Sequence, residues 1–304
     1  MYHLLPLRPR DPGCAVYPEM MTADCHIHMV LDGVDFRAAI AAHRSRPREE
    51  IIRRRLARYQ ALGFTYLRDG GDRWGVGLLA KALAGEYGIT YRSPAFPIHR
   101  VGHYGSFIGL GYESLAQYRQ RLAQAKAQGA DFIKLMISGL MDFHQAGRLT
   151  EPGLPPEEIR TLIHIAQDAG FAVMAHANGA GTVVAAAEAG VDSIEHGAYL
   201  NPEALAAMAG RRVIWVPTLA TIGNLRGTGR FPQGEVEAIL ASAQENLRRF
   251  AAMGGLIAPG SDAGAFAVPH GQGSVDEYRL LEEALGPGAQ DVLARGIAAL
   301  QARF

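Results

Sequence analysis

Met21-Thr22-Ala23-Asp24-Cys25-His26-Ile27-His28 is the stretch on which the fold turns. Residues 21–25 have the make-up of a short buried strand, and a His-x-His pair follows at once. A doubly wound open sheet, the runner-up, would place a G-x-G-x-x-G phosphate turn after its first strand, and no such turn is present. Working outward, seven more short β-branched or aromatic runs follow: 64–69, 89–94, 132–138, 171–175, 191–195, 212–217 and 255–260. Between them lie segments of helical period at 36–62, 75–86, 113–129, 156–169, 180–189, 201–209 and 234–253. Gly63, Gly129, Gly170, Gly190, Gly210 and Gly254 each sit just past a helical run, where a left-handed residue ends a helix. Pro155-Pro156-Glu157-Glu158 and Asn201-Pro202-Glu203 have the proline and acid of a first turn. Eight strands alternating with helices over about 250 residues predict an α/β fold, a (β/α)8 TIM-type barrel. No linker or shift of composition divides the chain, so residues 1–304 are expected to form a single domain.

Composition narrows the function. Thirty basic against 30 acidic residues leave no net charge, and 48% hydrophobic content is that of an ordinary globular protein. A general nucleic-acid or anionic-membrane binder is therefore not expected. Two cysteines, Cys14 and Cys25, cannot build a disulfide scaffold, and MYHLLPLRPRDPG at the N-terminus lacks an apolar signal core. A cytoplasmic setting is the expectation. Seven arginines crowd residues 43–58, but Glu49 and Glu50 precede Arg53 and Arg54 by one turn, the pattern of a solvated outer helix. Of the 30 basic residues only Lys81, Lys126 and Lys134 are lysines, so each lysine invites a reason.

A barrel presents its chemistry where strands end. At those positions stand His26 and His28 after the first strand and Lys134 within the fourth. His176 follows the fifth, His196 the sixth and Asp262 the eighth. Each residue alone has a plain structural account: a hydrogen-bonded histidine, a turn aspartate, a snorkelling lysine. Their joint occurrence on five strands of one barrel face points to a metal site. His26 and His28, two apart on a strand, share a face. Imidazoles and a carboxylate suit zinc or a similar divalent ion, and two such ions about 3.5–4 Å apart can act on one carbonyl. Lys134 lies in the apolar run Phe132-Ile133-Lys134-Leu135-Met136-Ile137. A partly buried lysine, unlike arginine, can react as a neutral amine, and with CO2 it would form a carbamate whose oxygens bridge two metals.

The order and context of these blocks resemble the amidohydrolase superfamily of metal-dependent hydrolases, nearest to its imidazolonepropionase-like and prolidase-like branch. The resemblance runs through Asp24-Cys25-His26-Ile27-His28, Leu67-Arg68-Asp69-Gly70-Gly71, Phe132-Ile133-Lys134 and Ser138-Gly139. It continues in Ala175-His176-Ala177-Asn178-Gly179, Ser193-Ile194-Glu195-His196-Gly197, Val216-Pro217-Thr218 and Gly260-Ser261-Asp262. It implies that His26 and His28 bind the more buried metal, that His176 and His196 bind the second, and that carbamylated Lys134 bridges both. Asp262 would touch the first metal and carry the proton from a bridging hydroxide to the leaving amine. Departures are the missing flanking β-sandwich, Met20-Met21-Thr22-Ala23 in place of a Pro-Gly entry, and Ser138-Gly139-Leu140 in place of Ser-Gly-Gly.

Around this centre the loop Ile98–Ser106, rich in glycine, can bring His103, Tyr104 and backbone N–H groups to an oxyanion. A solvated loop histidine is the equal alternative. Arg226 and Arg230, among glycines after strand seven, suit a substrate carboxylate, against which stands ordinary surface charge. Tyr199 lies three residues past His196; His144 and His270 have no role, and His3, His43 and His164 read as surface or helix residues. The expectation is hydrolysis of an amide C–N bond in a small substrate, such as a dipeptide, N-acyl amino acid or cyclic amide. A one-metal deaminase or cyclic-amidine hydrolase on the same barrel, or a non-catalytic metal-binding relative, are the alternatives. A homo-oligomer is compatible with such barrels.

Overall fold

A computed structural model describes residues 21–304; Cys14, His3 and the N-terminal leader reading lie outside the described residues. Strand β1 is Ala23–Ile27, followed by α1 (Phe36–His43) and α2 (Glu49–Ala61); β2 is Tyr66–Asp69, followed by α3 (Val76–Ala84). Then come β3 (Thr90–Arg92), β4 (Pro97–Arg100), β5 (Leu110–Tyr112) and α4 (Leu115–Ala127). The next three repeats are β6 (Ile133–Met136) with α5 (Pro156–Asp168), β7 (Val173–Ala177) with α6 (Ala180–Glu188), and β8 (Ser193–His196) with α7 (Pro202–Gly210). The chain closes with β9 (Ile214–Val216), α8 (Ala220–Gly223), α9 (Gln233–Ala252), β10 (Leu256–Ile257), α10 (Gln272–Leu285) and α11 (Ala289–Arg303).

All strand pairs are parallel, in the orders β1-β2-β3 and β10-β9-β8-β7-β6-β4-β5. The two arcs meet at two seams to make the expected (β/α)8 barrel. At one seam Cys25 N–H donates to Pro259 O at 2.8 Å, Asp262 N–H to His26 O at 2.7 Å and His28 N–H to Ala263 O at 2.8 Å. At the other, the third barrel strand is built in series from β3 and β4. Pro94, which has no N–H for a ladder, interrupts it, and Ala95 turns the chain at φ +64°. Asp131 N–H bridges back to Ser93 O at 2.9 Å before β4 takes over pairing with β6.

Helix ends follow their sequence signals. Asp35, Ser114 and Asn201 cap α1, α4 and α7 through side-chain oxygens, and Pro156 opens α5 with Glu157 and Glu158 in its first turn. The single helix expected over 36–62 is two. The chain leaves the helix at residues 44–48 because Pro47 lacks a donor and disfavours helical backbone before it, and Arg48 N–H turns instead to His43 Nδ1 at 3.0 Å. His43, the last residue of α1, is accordingly a buried helix residue. On α2, Glu49 pairs with Arg53 at 2.7 Å as expected, whereas Glu50 pairs with Arg48 at 2.6 Å and not with Arg54.

Two layers of apolar residues result. The larger lies between strands and helices; the smaller fills the barrel floor with Ala23, Cys25, Tyr66, Phe132, Met174, Ile214, Val216, Leu256 and Ala258, stoppered by Leu300 and Phe304 of α11 and its end. The strand period carries that layout upward: Tyr66 leads to Arg68, Phe132 to Lys134 and Met174 to His176, two residues along on the same face. Polar groups thus stand directly above an apolar floor. Among the described residues no helix is long and apolar enough to cross a membrane.

Candidate metal centre

Two local irregularities aim the site. The β1–β2 register shifts between Asp24 and Ile27, which lets His26 and His28 point inward above Cys25. At the ends of later strands, His196, Thr218 and Asp262 all take left-handed backbone, with φ of +68°, +53° and +58°. Such conformations in non-glycine residues are strained and cluster where function fixes a side chain. The left-handed turn at His196 is what allows it to face the centre beside Glu195, its inward-facing neighbour.

His26 Nε2 and His28 Nε2 lie 3.4 Å apart, and Asp262 Oδ1 is 3.7 Å from the first and 3.4 Å from the second. The ligand atoms of these three residues all fall within 4.8 Å of one another. The imidazoles continue as a row: ring centroids of His26 and His196 are 5.1 Å apart, and those of His196 and His176 are 4.6 Å apart. Burial, joined by the charge of Lys134, lowers all four histidines, His28 and His176 to about 3, so they are neutral donors at ordinary pH. Lys134 itself is buried, its Nζ has no hydrogen-bond partner, and burial lowers it to about 8. Burial pushes Asp262 up to about 7, against the opposing pull of Lys134.

One nitrogen of two of these rings is held by a hydrogen bond from behind, and one nitrogen of a third lies against a carboxylate. His196 Nδ1 is 2.7 Å from Thr218 Oγ1, His176 Nε2 is 3.1 Å from Gly139 O, and His26 Nδ1 is 2.8 Å from Glu195 Oε2. The other nitrogen of His26 faces His28 Nε2 and Asp262, and a partner behind the ring is the arrangement that metal-binding histidines show. Two orphaned buried groups, Lys134 Nζ and Asp262 Oδ1, complete a donor set that fits divalent ions.

The amidohydrolase family profile matches residues 23–273. The chain belongs to the amidohydrolase family. Ochratoxinase of Aspergillus niger is 26% identical over 146 residues, which span 48% of this chain and 28% of that protein. Among solved structures, a Xaa-Pro dipeptidase with bound methionine shares 22% identity at a TM-score of 0.74, over 93% of this chain and 75% of that one. The A. niger ochratoxinase structure shares 20% identity at 0.72, over 91% of this chain and 70% of that one.

Of the six ligand candidates, His26, His28 and Asp262 form one cluster, His196 and His176 continue the row of rings, and the buried Lys134 bears on all four histidines with its charge. The Tyr104 ring packs 4.9 Å from that of His176, and the Asp262 charge bears on its phenol. Two of the loop's backbone donors are engaged elsewhere: Tyr104 N–H donates to Glu151 Oε1 at 2.5 Å and His103 N–H to Arg100 O at 3.0 Å. The His103 ring sits part-exposed, 4.0 Å from Glu151. Tyr199, left-handed at φ +59°, lines a small crevice with His196, Met141, Pro217 and Ile222. Arg226 lies 3.6 Å from Glu237, while Arg230 stacks over Phe266 at 4.0 Å and has no ion pair among the described residues. His144 packs on Phe231, and His270 is buried between Tyr59 and Leu31 O, a structural residue.

Sequence reasoning gave no role to the groups that hold the ligands. Asp24 accepts from Ser261 N–H at 2.9 Å, and its other oxygen from Ser261 and Ser274 hydroxyls, both at 2.5 Å. It thereby fixes the first strand to the loop that carries Asp262. Asn178 donates to Gly139 O at 3.0 Å and accepts from Ala198 N–H at 2.9 Å. Their signal was adjacency: each stands within two residues of a ligand or its loop.

Proposed function

We propose that the chain is a metal-dependent hydrolase that opens an amide C–N bond in a small substrate, such as a dipeptide, N-acyl amino acid or cyclic amide. The observation that carries this reading is the row of four neutral histidines closed by Asp262, with Lys134 Nζ buried and unpartnered among them. In it His26 and His28 would hold one ion and His176 and His196 a second, and zinc suits the set. Lys134 would add to CO2 as a neutral amine, losing a proton to give a carbamate with oxygens for both sites. Divalent ions, when bound, would supply carbonyl polarisation and a more acidic water. Asp262 would accept the proton of the attacking water at Oδ1 and deliver it to the leaving nitrogen. Tyr104 offers its hydroxyl beside Asp262 and His176, and Arg230 a free guanidinium for a substrate carboxylate. His103, Tyr199 and Arg226 stand farther out as candidates for the substrate wall.

The tighter cluster of His26, His28 and Asp262 supports a second reading, a one-metal deaminase-like site, which leaves Lys134 without a task. Metal analysis of protein expressed with zinc and bicarbonate separates them. The two-metal reading expects about two ions per chain, falling below one in Lys134→Ala, with release of amine from a dipeptide and N-acyl amino acid library. One ion in both proteins would establish the second reading, and none would overturn both.

A further inference from the structure

Below the histidines lies a fully buried ion pair that the hydrolytic chemistry does not use. Arg68 and Glu195 have no exposed side-chain surface, and their charges meet at 2.8 Å between Nη2 and Oε1. Arg68 also donates through Nε to Cys25 O at 2.7 Å and through Nη1 to Ser193 Oγ at 3.0 Å, and its guanidinium stacks 4.4 Å above the Phe304 ring. Ser193 Oγ gives its proton to the same Glu195 oxygen at 2.5 Å. Oε1 is therefore saturated, and the carboxylate is fixed in one orientation. Oε2 then faces a single group, His26 Nδ1, at 2.8 Å, at hydrogen-bond length though not in line, and neither atom has another partner among the described residues.

A buried Arg–Glu pair is weak evidence for stability, since apolar residues of similar size serve a core as well or better. Its retention here calls for a different reason, and the geometry supplies one. We infer that Glu195, clamped by Arg68 and Ser193, is a positioning residue that holds the proton of His26 on Nδ1 and so keeps Nε2 as a bare metal donor beside His28 and Asp262. A carboxylate behind an imidazole selects the tautomer, fixes the ring plane and raises the basicity of the opposite nitrogen. This inference rests on the metal-site reading for its purpose, but the tautomer is a property of the metal-free chain.

The test uses Glu195→Gln in the full chain. Its amide oxygen still serves Arg68 and Ser193, which turns the NH2 toward His26 Nδ1, donor against donor. The proton of His26 then moves to Nε2, the wrong nitrogen for a ligand. Long-range 15N spectra of chelator-treated protein, assigned by loss of the signal in His26→Ala, should show Nδ1–H in the wild type and Nε2–H in Glu195→Gln. Zinc affinity from chelator competition should fall about 10–100-fold in the variant. A wild-type His26 protonated on Nε2 overturns the inference without any variant. So does a Glu195→Gln affinity within about threefold of wild type. If Glu195→Gln fails to fold, Arg68→Met with Glu195→Met removes both charges together, and unchanged zinc affinity there is equally fatal. A wild type that takes up no zinc would sink the metal-site reading alone, leaving the tautomer result to decide this one.

Discussion

Asp262 is held where its charge is unwelcome. Burial raises it from 3.8 to about 7, so the folded chain binds this proton more tightly than the unfolded chain does. The group thus contributes stability that is fully present below pH 3.8 and is lost as pH rises through 7. In chelator-treated protein at pH 8, Asp262→Asn should therefore raise stability by about 1–4 kcal/mol, shrinking to less than about half that at pH 5. Denaturant unfolding at the two pH values measures it. A variant less stable than wild type at pH 8 would show that the carboxylate is at ease there, and its candidacy as proton carrier would weaken with it.

At the level of strands and helices, the ligand candidates were legible because five stand just after a short apolar run and Lys134 within one, where inward-facing positions recur every second residue. That is why His26, His28, Lys134, His176, His196 and Asp262 could be placed on one face without coordinates. Less legible were features set by distant partners. β4 and β5 carry no alternation long enough to mark them, α8 is a single turn, and α10 and α11 follow the last ligand, where no further strand calls for them. Glu195 was visible only as the neighbour of His196, and Arg68 and Thr218 only inside the blocks Leu67–Gly71 and Val216–Thr218, since their roles depend on contacts across 43 to 127 residues of chain for Arg68 alone. Gly70 shows how a loop after a strand takes part. A Cβ on Gly70 would collide with His28 Cε1, and backbone cannot easily yield there. Gly70→Ala should displace the His28 ring, lowering zinc affinity at least about tenfold while the thermal midpoint of the metal-free protein drops by only a few degrees. Chelator competition beside thermal unfolding checks this, and unaltered zinc affinity would mean that the ring has room to spare.

Across the whole molecule, the barrel is layered along its axis: apolar floor, buried ion pair, then the histidine row with Lys134 and Asp262. The floor must keep water from the Arg68–Glu195 pair, because solvent reaching it would loosen the contacts with Arg68 and Ser193 that fix the carboxylate. Phe304 closes that floor, with its ring 5.2 Å from Phe132 and 4.4 Å beneath the Arg68 guanidinium. It is 8% exposed, so truncation to alanine opens a cavity that neighbouring helices can fill only in part. Phe304→Ala should lower unfolding free energy by about 2–4 kcal/mol in urea. It leaves every ligand in place, so full zinc content at saturation is expected to survive. What should change is the grip: zinc should exchange faster from the variant as Arg68 and Glu195 gain freedom. A loss under about 0.5 kcal/mol would show that α11 ends on the barrel without sealing it, and the layered account of the interior would fail at its lowest tier.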